Sequence, residues 1–102
     1  MAFNLDTLLK GYEFRVLVED SFRDKETGQK IPYMTMVVEH PDTCEQTRVS
    51  VPEGMRQDLR SYGLRKGEFV DIFVNVRAGS NYNKCTLVSL EHVYSDDGQV
   101  RF

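Results

Sequence analysis

Two histidines and two cysteines are the side chains in this sequence best suited to binding a metal: His40, Cys44, Cys85 and His92. Structural zinc sites usually take their ligands from closely spaced pairs such as Cys-x2-Cys. Here each cysteine has one histidine near it, and neither spacing matches a finger or ribbon pattern. We therefore expect no metal site. Because two cysteines do not make a disulfide framework, we expect two free thiols.

An enzyme needs several side chains that converge on one reacting atom. Glu91 and His92 are the nearest approach to an acid–base pair, but neighbouring residues of a strand point to opposite faces. The sequence has no Gly-x-Ser-x-Gly elbow, no phosphate-binding Gly-rich loop and no His-Glu-x-x-His motif. We expect a non-catalytic protein with no cofactor and no small-molecule substrate.

The segment RAGSNYNK, residues 77–84, combines turn-forming residues with a tyrosine and two flanking cations. Gly, Ser and Asn suit a hairpin turn, but a solvated turn has no need of an aromatic ring. Aromatic rings stack on unpaired bases, and Lys and Arg neutralise phosphates. The segment therefore predicts a contact between Tyr82 and single-stranded nucleic acid. The alternative is a tyrosine that covers the mouth of a barrel or packs on a neighbouring strand.

Composition sets limits on this prediction. The chain has 102 residues, 40% of them hydrophobic and 28% charged, which fits one folded domain. No apolar run approaches the roughly 20 residues that cross a bilayer, and no signal peptide is visible, so a cytoplasmic location away from membranes is expected. The net charge of −3 counts against a general polyanion binder. Nucleic-acid binding therefore requires the cations to gather on one face.

Hydrophobic periodicity predicts a mainly β protein with a five-stranded OB-type barrel and one short helix between strands three and four. The predicted strands are 12–22, 31–39, 45–51, 68–76 and 85–94, and the predicted helix is 52–62. In the first strand, alternation puts Tyr12, Phe14, Val16, Val18 and Phe22 on the core side. Residues 1–11 are expected to form an N-terminal arm, helical or extended, residues 12–94 the barrel, and residues 95–102 a short polar tail.

In an OB-type barrel the ligand face comes from strands two and three and from the loops that join strands one to two and four to five. On that plan the nucleic-acid-binding candidates are Arg15, Arg23, Lys25, Lys30, Tyr33, Arg48, Phe73, Arg77, Tyr82 and Lys84. Other roles stay open for two of them. Tyr33 would serve as a cross-strand partner on a solvated face, and Phe73 would pack under the arm or in a dimer. The cations Arg56, Arg60, Arg65 and Lys66 are interpreted as a solvated helix face.

Three segments carry a resemblance to a known family: GQKIPY (28–33), LRKGEFVDIFV (64–74) and CTLVSLEHV (85–93). With them the chain resembles small single-stranded-DNA-binding proteins of OB type. In element order it is similar to the gene V helix-destabilising proteins of filamentous phages. The resemblance implies coating of single strands in replication or transfer of phage or plasmid DNA, often as a homodimer, with Tyr33 and Tyr82 stacking on bases. DNA and RNA both stay open as ligands. The alternative function is a protein–protein interaction or structural module of a phage or mobile element.

Overall fold

The computed structural model describes residues 3–79, 83–95 and 97–101. Within these residues the chain is mainly β, with five strands and one helix, which agrees with the periodicity of the sequence. The elements are β1 (Phe3–Arg23), β2 (Lys30–Glu39), β3 (Gln46–Ser50), α1 (Glu53–Tyr62), β4 (Phe69–Ala78) and β5 (Asn83–Tyr94).

The five strands form one closed sheet in the order β1-β2-β3-β5-β4, with β4 pairing back to β1. The pairs β1–β2, β2–β3, β1–β4 and β4–β5 are antiparallel. The closure between β3 and β5 is parallel and narrow, through a bridge between Ser50 and Thr86. The strands therefore make a barrel with one weak seam.

Strand β1 is long because its two halves pair with different neighbours. Phe3–Glu13 pairs with β4, and Glu13–Arg23 pairs with β2. Residues 3–11, for which the sequence predicts a helical or extended arm, are therefore extended and form the first half of β1. The register shifts between Leu9 and Tyr12, where Gly11 has φ +72°, a conformation that glycine adopts without strain.

A buried carboxylate, Asp71 on β4, braces this irregular point. Its Oδ1 accepts a hydrogen bond from the backbone N–H of Gly11 at 2.8 Å and another from the hydroxyl of Tyr94 at 3.1 Å. Among the residues that the structure describes, Asp71 is the polar one with a buried side chain, at 8% exposure. It ties together β1, β4 and β5, so its role is in holding the barrel closed.

The core fills the barrel and is closed at one end by α1, which contributes the fully buried Leu59. The helix ends at Gly63, which adopts the left-handed conformation (φ 61°) typical of a helix C-terminus. Arg101 donates from its guanidinium to the carbonyl oxygens of Tyr62 at 2.6 Å and Gly63 at 3.4 Å. The other buried core residues are Phe14, Met34, Met36, Val38, Val49, Val51, Val70, Ile72, Val74, Leu87 and Val93.

A β-bulge at Arg15 reverses the alternation that the sequence predicts for β1. Phe14 pairs with Val38, but Val16 pairs with Val37, so one extra residue lies between them. A one-residue shift moves every following side chain to the other face of the sheet. The prediction that Val16, Val18 and Phe22 face the core is therefore wrong. They are 45%, 38% and 53% exposed, whereas Leu17 packs against the core.

Candidate nucleic-acid interface

The bulge exposes apolar side chains on the outer surface of β1, β2 and β3. We call this surface the ring face and define it by Val16, Val18, Phe22, Ile31 and Tyr33, all of them exposed. Phe22 lies directly opposite Ile31, and Val18 directly opposite Thr35, which puts them on the same side as Tyr33. The rings of Phe22 and Tyr33 have centroids 6.3 Å apart at an interplanar angle of 40°. Exposed apolar patches of this kind mark binding surfaces in many proteins.

One end of the ring face runs into a shallow open groove that carries three cations, Arg15, Arg48 and Lys66. Val16, Val18, Val37 and Gln46 complete its lining. Arg15 is paired with Glu13 at 2.9 Å. Within the described part of the chain, neither Arg48 nor Lys66 has a carboxylate within ion-pair distance. The groove therefore has an excess of positive charge beside an apolar surface.

The sequence predicts Lys66 on a solvated helix face, whereas the structure places it at the groove. It follows α1 in the loop that leads into β4, and this loop crosses the end of the barrel to reach β1. The N–H of Gly67 donates to the carbonyl of Phe14 at 3.2 Å, which anchors the loop next to the bulge. No local pattern in LRKGEF signals this contact, because it depends on how α1 returns to the sheet.

The β1–β2 hairpin carries three more predicted site residues, Arg23, Lys25 and Lys30, all exposed. Arg23 lies directly opposite Lys30. By strand alternation this pair points to the other side of the hairpin from Phe22 and Ile31. Lys25 lies in the turn. These cations therefore flank the ring face at its far end and are not part of its surface.

The β4–β5 hairpin places Arg77 directly opposite Lys84, and both are exposed. Tyr82, the residue expected to stack on a base, lies outside the described residues. Lys84 precedes Thr86 by two positions, just as Arg48 precedes Ser50, and these two strands run in parallel. Arg48 and Lys84 therefore lie at a similar level on neighbouring strands, so the base of this hairpin adjoins the β3 side of the ring face.

Phe73 lies elsewhere on the barrel. It is exposed on β4 and pairs with Leu8 in the first half of β1, whereas Tyr33 lies beside the second half. The depression around Phe73 is lined by Leu8, Lys10, Asp71, Glu91 and His92. The structure therefore does not bring Phe73 together with the ring face, and the lining of its depression combines two acids with a lysine and a histidine.

The thiols and imidazoles are dispersed. Cys44 lies exposed in a turn, and Cys85 is half-buried, where desolvation raises the pKa of its thiol. The Nδ1 atom of His40 accepts the backbone N–H groups of Asp42 at 3.1 Å and Thr43 at 3.3 Å, which is a turn-stabilising role. In the described ranges, no three His, Cys, Asp or Glu side chains are grouped so as to hold a metal ion. Over the same ranges, no helix has the length and apolar character needed to cross a membrane.

The ring face, its groove and the two adjoining hairpins together form a surface that can stack flat apolar groups and attract anions. Phe22 was read from sequence as a core residue and is the most exposed ring on this surface. Comparison with protein-family models, curated proteins and solved structures gives no significant match, so the functional assignment depends on this geometry.

Proposed function

We propose that the chain is an OB-type barrel that binds single-stranded nucleic acid, with DNA as the expected ligand, on the ring face. The architecture supports the first part. A closed five-stranded sheet, with a helix between the third and fourth strands, follows the element order of that barrel type. The ligand face of such barrels comes from β2, β3 and the hairpins at their sides. Tyr33 lies on β2 and Phe22 on β1 beside the first of these hairpins, whereas Phe73 lies elsewhere on the barrel.

The observation that carries the proposal is the pair of exposed rings, Phe22 and Tyr33, beside a groove in which Arg48 and Lys66 have no carboxylate partner among the described residues. Each ring offers a face on which a base stacks, with about 1–3 kcal/mol gained per base and little dependence on sequence. Arg48 and Lys66 lie at one end of this surface, where they neutralise phosphates that follow the stacked bases. In a duplex the base faces are covered, so the rings favour single strands.

The hairpin cations extend the path of the backbone. Arg23, Lys25 and Lys30 lie beyond the rings, and Lys84 lies on β5, the strand beside β3, with Arg77 opposite it on β4. A strand that stacks on Phe22 and Tyr33 meets the groove cations at one end. At the other end Arg23 and Lys30 point to the opposite side of the hairpin, so a phosphate reaches them only around its edge. The stacking role of Tyr82 stays a prediction from sequence. So do the homodimer and the role in replication or transfer of phage or plasmid DNA, which depend on the family resemblance.

Two of the carboxylates that contribute to the net charge of −3 lie away from the rings and have cation partners. Glu19 is bound to Arg60 of α1 at 2.6 Å, and Glu68 to Arg101 at 3.4 Å. By strand alternation Glu19 points to the side of the hairpin opposite Phe22. On the ring face itself Asp20 is exposed opposite Tyr33, so the positive charge lies in the groove at the end of this surface and not over the rings.

The test is the salt dependence of binding to a fluorescein-labelled thymidine oligonucleotide, followed by anisotropy. If the three groove cations each neutralise one phosphate, the slope of log affinity against log salt is about −2, from the single-strand coefficient. Arg48→Ala reduces the slope by about 0.7, whereas Arg65→Ala, which removes an exposed cation outside the groove, leaves it unchanged. Absence of binding at about 50 mM salt would contradict the proposal.

One observation favours a second function, a protein–protein module. The ring face also contains the aliphatic residues Val16, Val18 and Ile31, and these suit an apolar protein surface. On this alternative the chain shows no salt-dependent binding of oligonucleotides. Instead it binds a protein partner, and Phe22→Ala changes the sedimentation coefficient or the affinity of that complex. Measuring oligonucleotide binding and protein-complex formation for the wild type and Phe22→Ala separates the two functions.

A further inference from the structure

A carboxylate, Asp20, lies within the proposed stacking surface. It is exposed on β1 between Val18 and Phe22, and its Cα partner across the sheet is Tyr33. By alternation Asp20 points to the same side as both rings, whereas the neighbouring Glu19 points to the other. Glu19 has a cation partner in Arg60, and Asp20 has none among the described residues.

The position of Asp20 is unfavourable for a phosphate and favourable for the edge of a base. Side chains directly opposite each other in an antiparallel pair have Cβ atoms about 5 Å apart. A base stacked on Tyr33 is wider than the ring beneath it, so its hydrogen-bonding edge reaches over β1 toward Asp20. One carboxylate oxygen accepts the N–H of Ser21 at 2.8 Å, which restrains the side chain and leaves acceptor capacity on both oxygens.

A carboxylate accepts hydrogen bonds and donates none. The Watson–Crick edge of guanine presents two adjacent donors, N1–H and an N2–H, which match the two oxygens. Cytosine and adenine each present one amino group, and the N3–H of thymine is flanked by two carbonyl oxygens that a carboxylate repels. We propose that Asp20 is a specificity residue of the ring face, which selects guanine among the bases that stack on Phe22 and Tyr33. This inference depends on the proposed function of that surface.

The experiment compares oligonucleotides of about 12 nucleotides, within the range that one such barrel covers. They are repeats of TTG, TTA, TTC and TTI, where I is inosine, which keeps N1–H and lacks the N2 amino group. Isolated guanines avoid the four-stranded structures that guanine runs form. The wild-type chain is expected to bind the TTG repeat about tenfold more tightly than TTA or TTC, with TTI between them.

Asp20→Asn keeps the size of the side chain and removes its charge. It is expected to bring the four affinities within about twofold of one another and to strengthen binding of an all-thymidine strand, because the repulsion is gone. Glu26→Gln is the matched control. It removes one charge from the exposed hairpin turn, off the ring face, and is expected to keep the guanine preference.

The outcomes separate this inference from the proposed function. Equal wild-type affinity for the four repeats, or a guanine preference that survives in Asp20→Asn, overturns the role of Asp20 and leaves single-strand binding in place. If neither the wild type nor Asp20→Asn binds any of the strands, the proposed function fails and the inference fails with it. Circular dichroism of each variant shows that the barrel is folded.

Discussion

The two outer surfaces of the barrel share one strand and differ in chemistry. The second half of β1, with β2 and β3, presents rings, aliphatic side chains and unpaired cations. The first half of β1, with β4 and β5, presents Phe73 among Asp71, Glu91 and a polar contact in which Asn75 donates to Asp6 at 2.8 Å. Exposed aromatic rings occur on both sides, so a ring alone does not define a binding surface. The depression around Phe73 also has a cation, Lys10, so what distinguishes the ring face is a pair of neighbouring rings beside a groove with three cations.

The largest expected effect is the loss of both rings from the ring face. The double variant Phe22→Ala with Tyr33→Ala is expected to weaken binding of a single-stranded oligonucleotide about 100-fold, because two stacking contacts are removed. Phe73→Ala is the control, since Phe73 is as exposed as Tyr33 and lies on the other surface. Its affinity is expected to stay within about twofold of the wild type. Equal losses in both variants would show that the two surfaces do not differ in function.

The next effect concerns stability on the β4 side. Asp71→Ala removes the acceptor for the N–H of Gly11 and the hydroxyl of Tyr94. Leaving these donors without a partner is expected to lower the free energy of unfolding by about 2 kcal/mol, measured by urea denaturation. Glu91→Ala, an exposed acid in the same depression, is expected to change it by less than about 0.5 kcal/mol. Similar losses for the two acids would count against a bracing role for Asp71.

A smaller effect isolates the contact between Gly11 and Tyr94. Gly11 and Gly28 both have φ +72°, so Ala at either position has the same backbone strain, about 1 kcal/mol. A Cβ at Gly11 would lie 3.2 Å from the hydroxyl of Tyr94, whereas at Gly28 nothing lies within 4 Å. Gly11→Ala is therefore expected to be about 0.5 kcal/mol more destabilising in urea unfolding, through a loosened hydrogen bond. Equal losses of unfolding free energy in Gly11→Ala and Gly28→Ala would show that the Tyr94 hydroxyl moves away from the new Cβ without loss of stability.

The smallest effect is a pH dependence of stability. Burial, followed by the hydrogen bond and the charge of Asp71, raises the pKa of Tyr94 above its ordinary value. Its contribution to stability is complete below the unfolded pKa and is lost as the pH rises through the folded pKa. The free energy of unfolding is therefore expected to fall above about pH 10, and less steeply in Tyr94→Phe. Identical slopes for the two proteins between about pH 9 and pH 11 would contradict this.

Sequence periodicity predicts the five strands well because alternation is a local property, and most buried side chains of β2, β3 and β4 follow it. Val37 and Asp71, on the outer side of their strands, are buried as well. Alternation fails on β1, where the bulge at Arg15 adds a residue that no turn signal announces. This error affects the predicted site. Alternation assigns Phe22 to the core and Leu17 to the ligand side, whereas Phe22 is exposed and Leu17 packs against the core. Lys66 is missed because its position depends on a loop contact with Phe14. Tyr33 and Arg48, on regular strands, are on the outer face as expected.

The length of β1 also has a consequence for how the chain reaches its native state. Its second half pairs with β2, which follows it directly through a hairpin turn and is synthesised soon after it. Its first half pairs with β4, residues 69–78, which are synthesised much later. Contacts distant in sequence form slowly because a long loop must close first. During that interval Leu5, Leu8 and Leu9 sit on an unpaired edge, the kind of segment that chaperones capture and that associates with other chains. The first half of β1 is therefore expected to stay exposed until residues 69–78 have emerged.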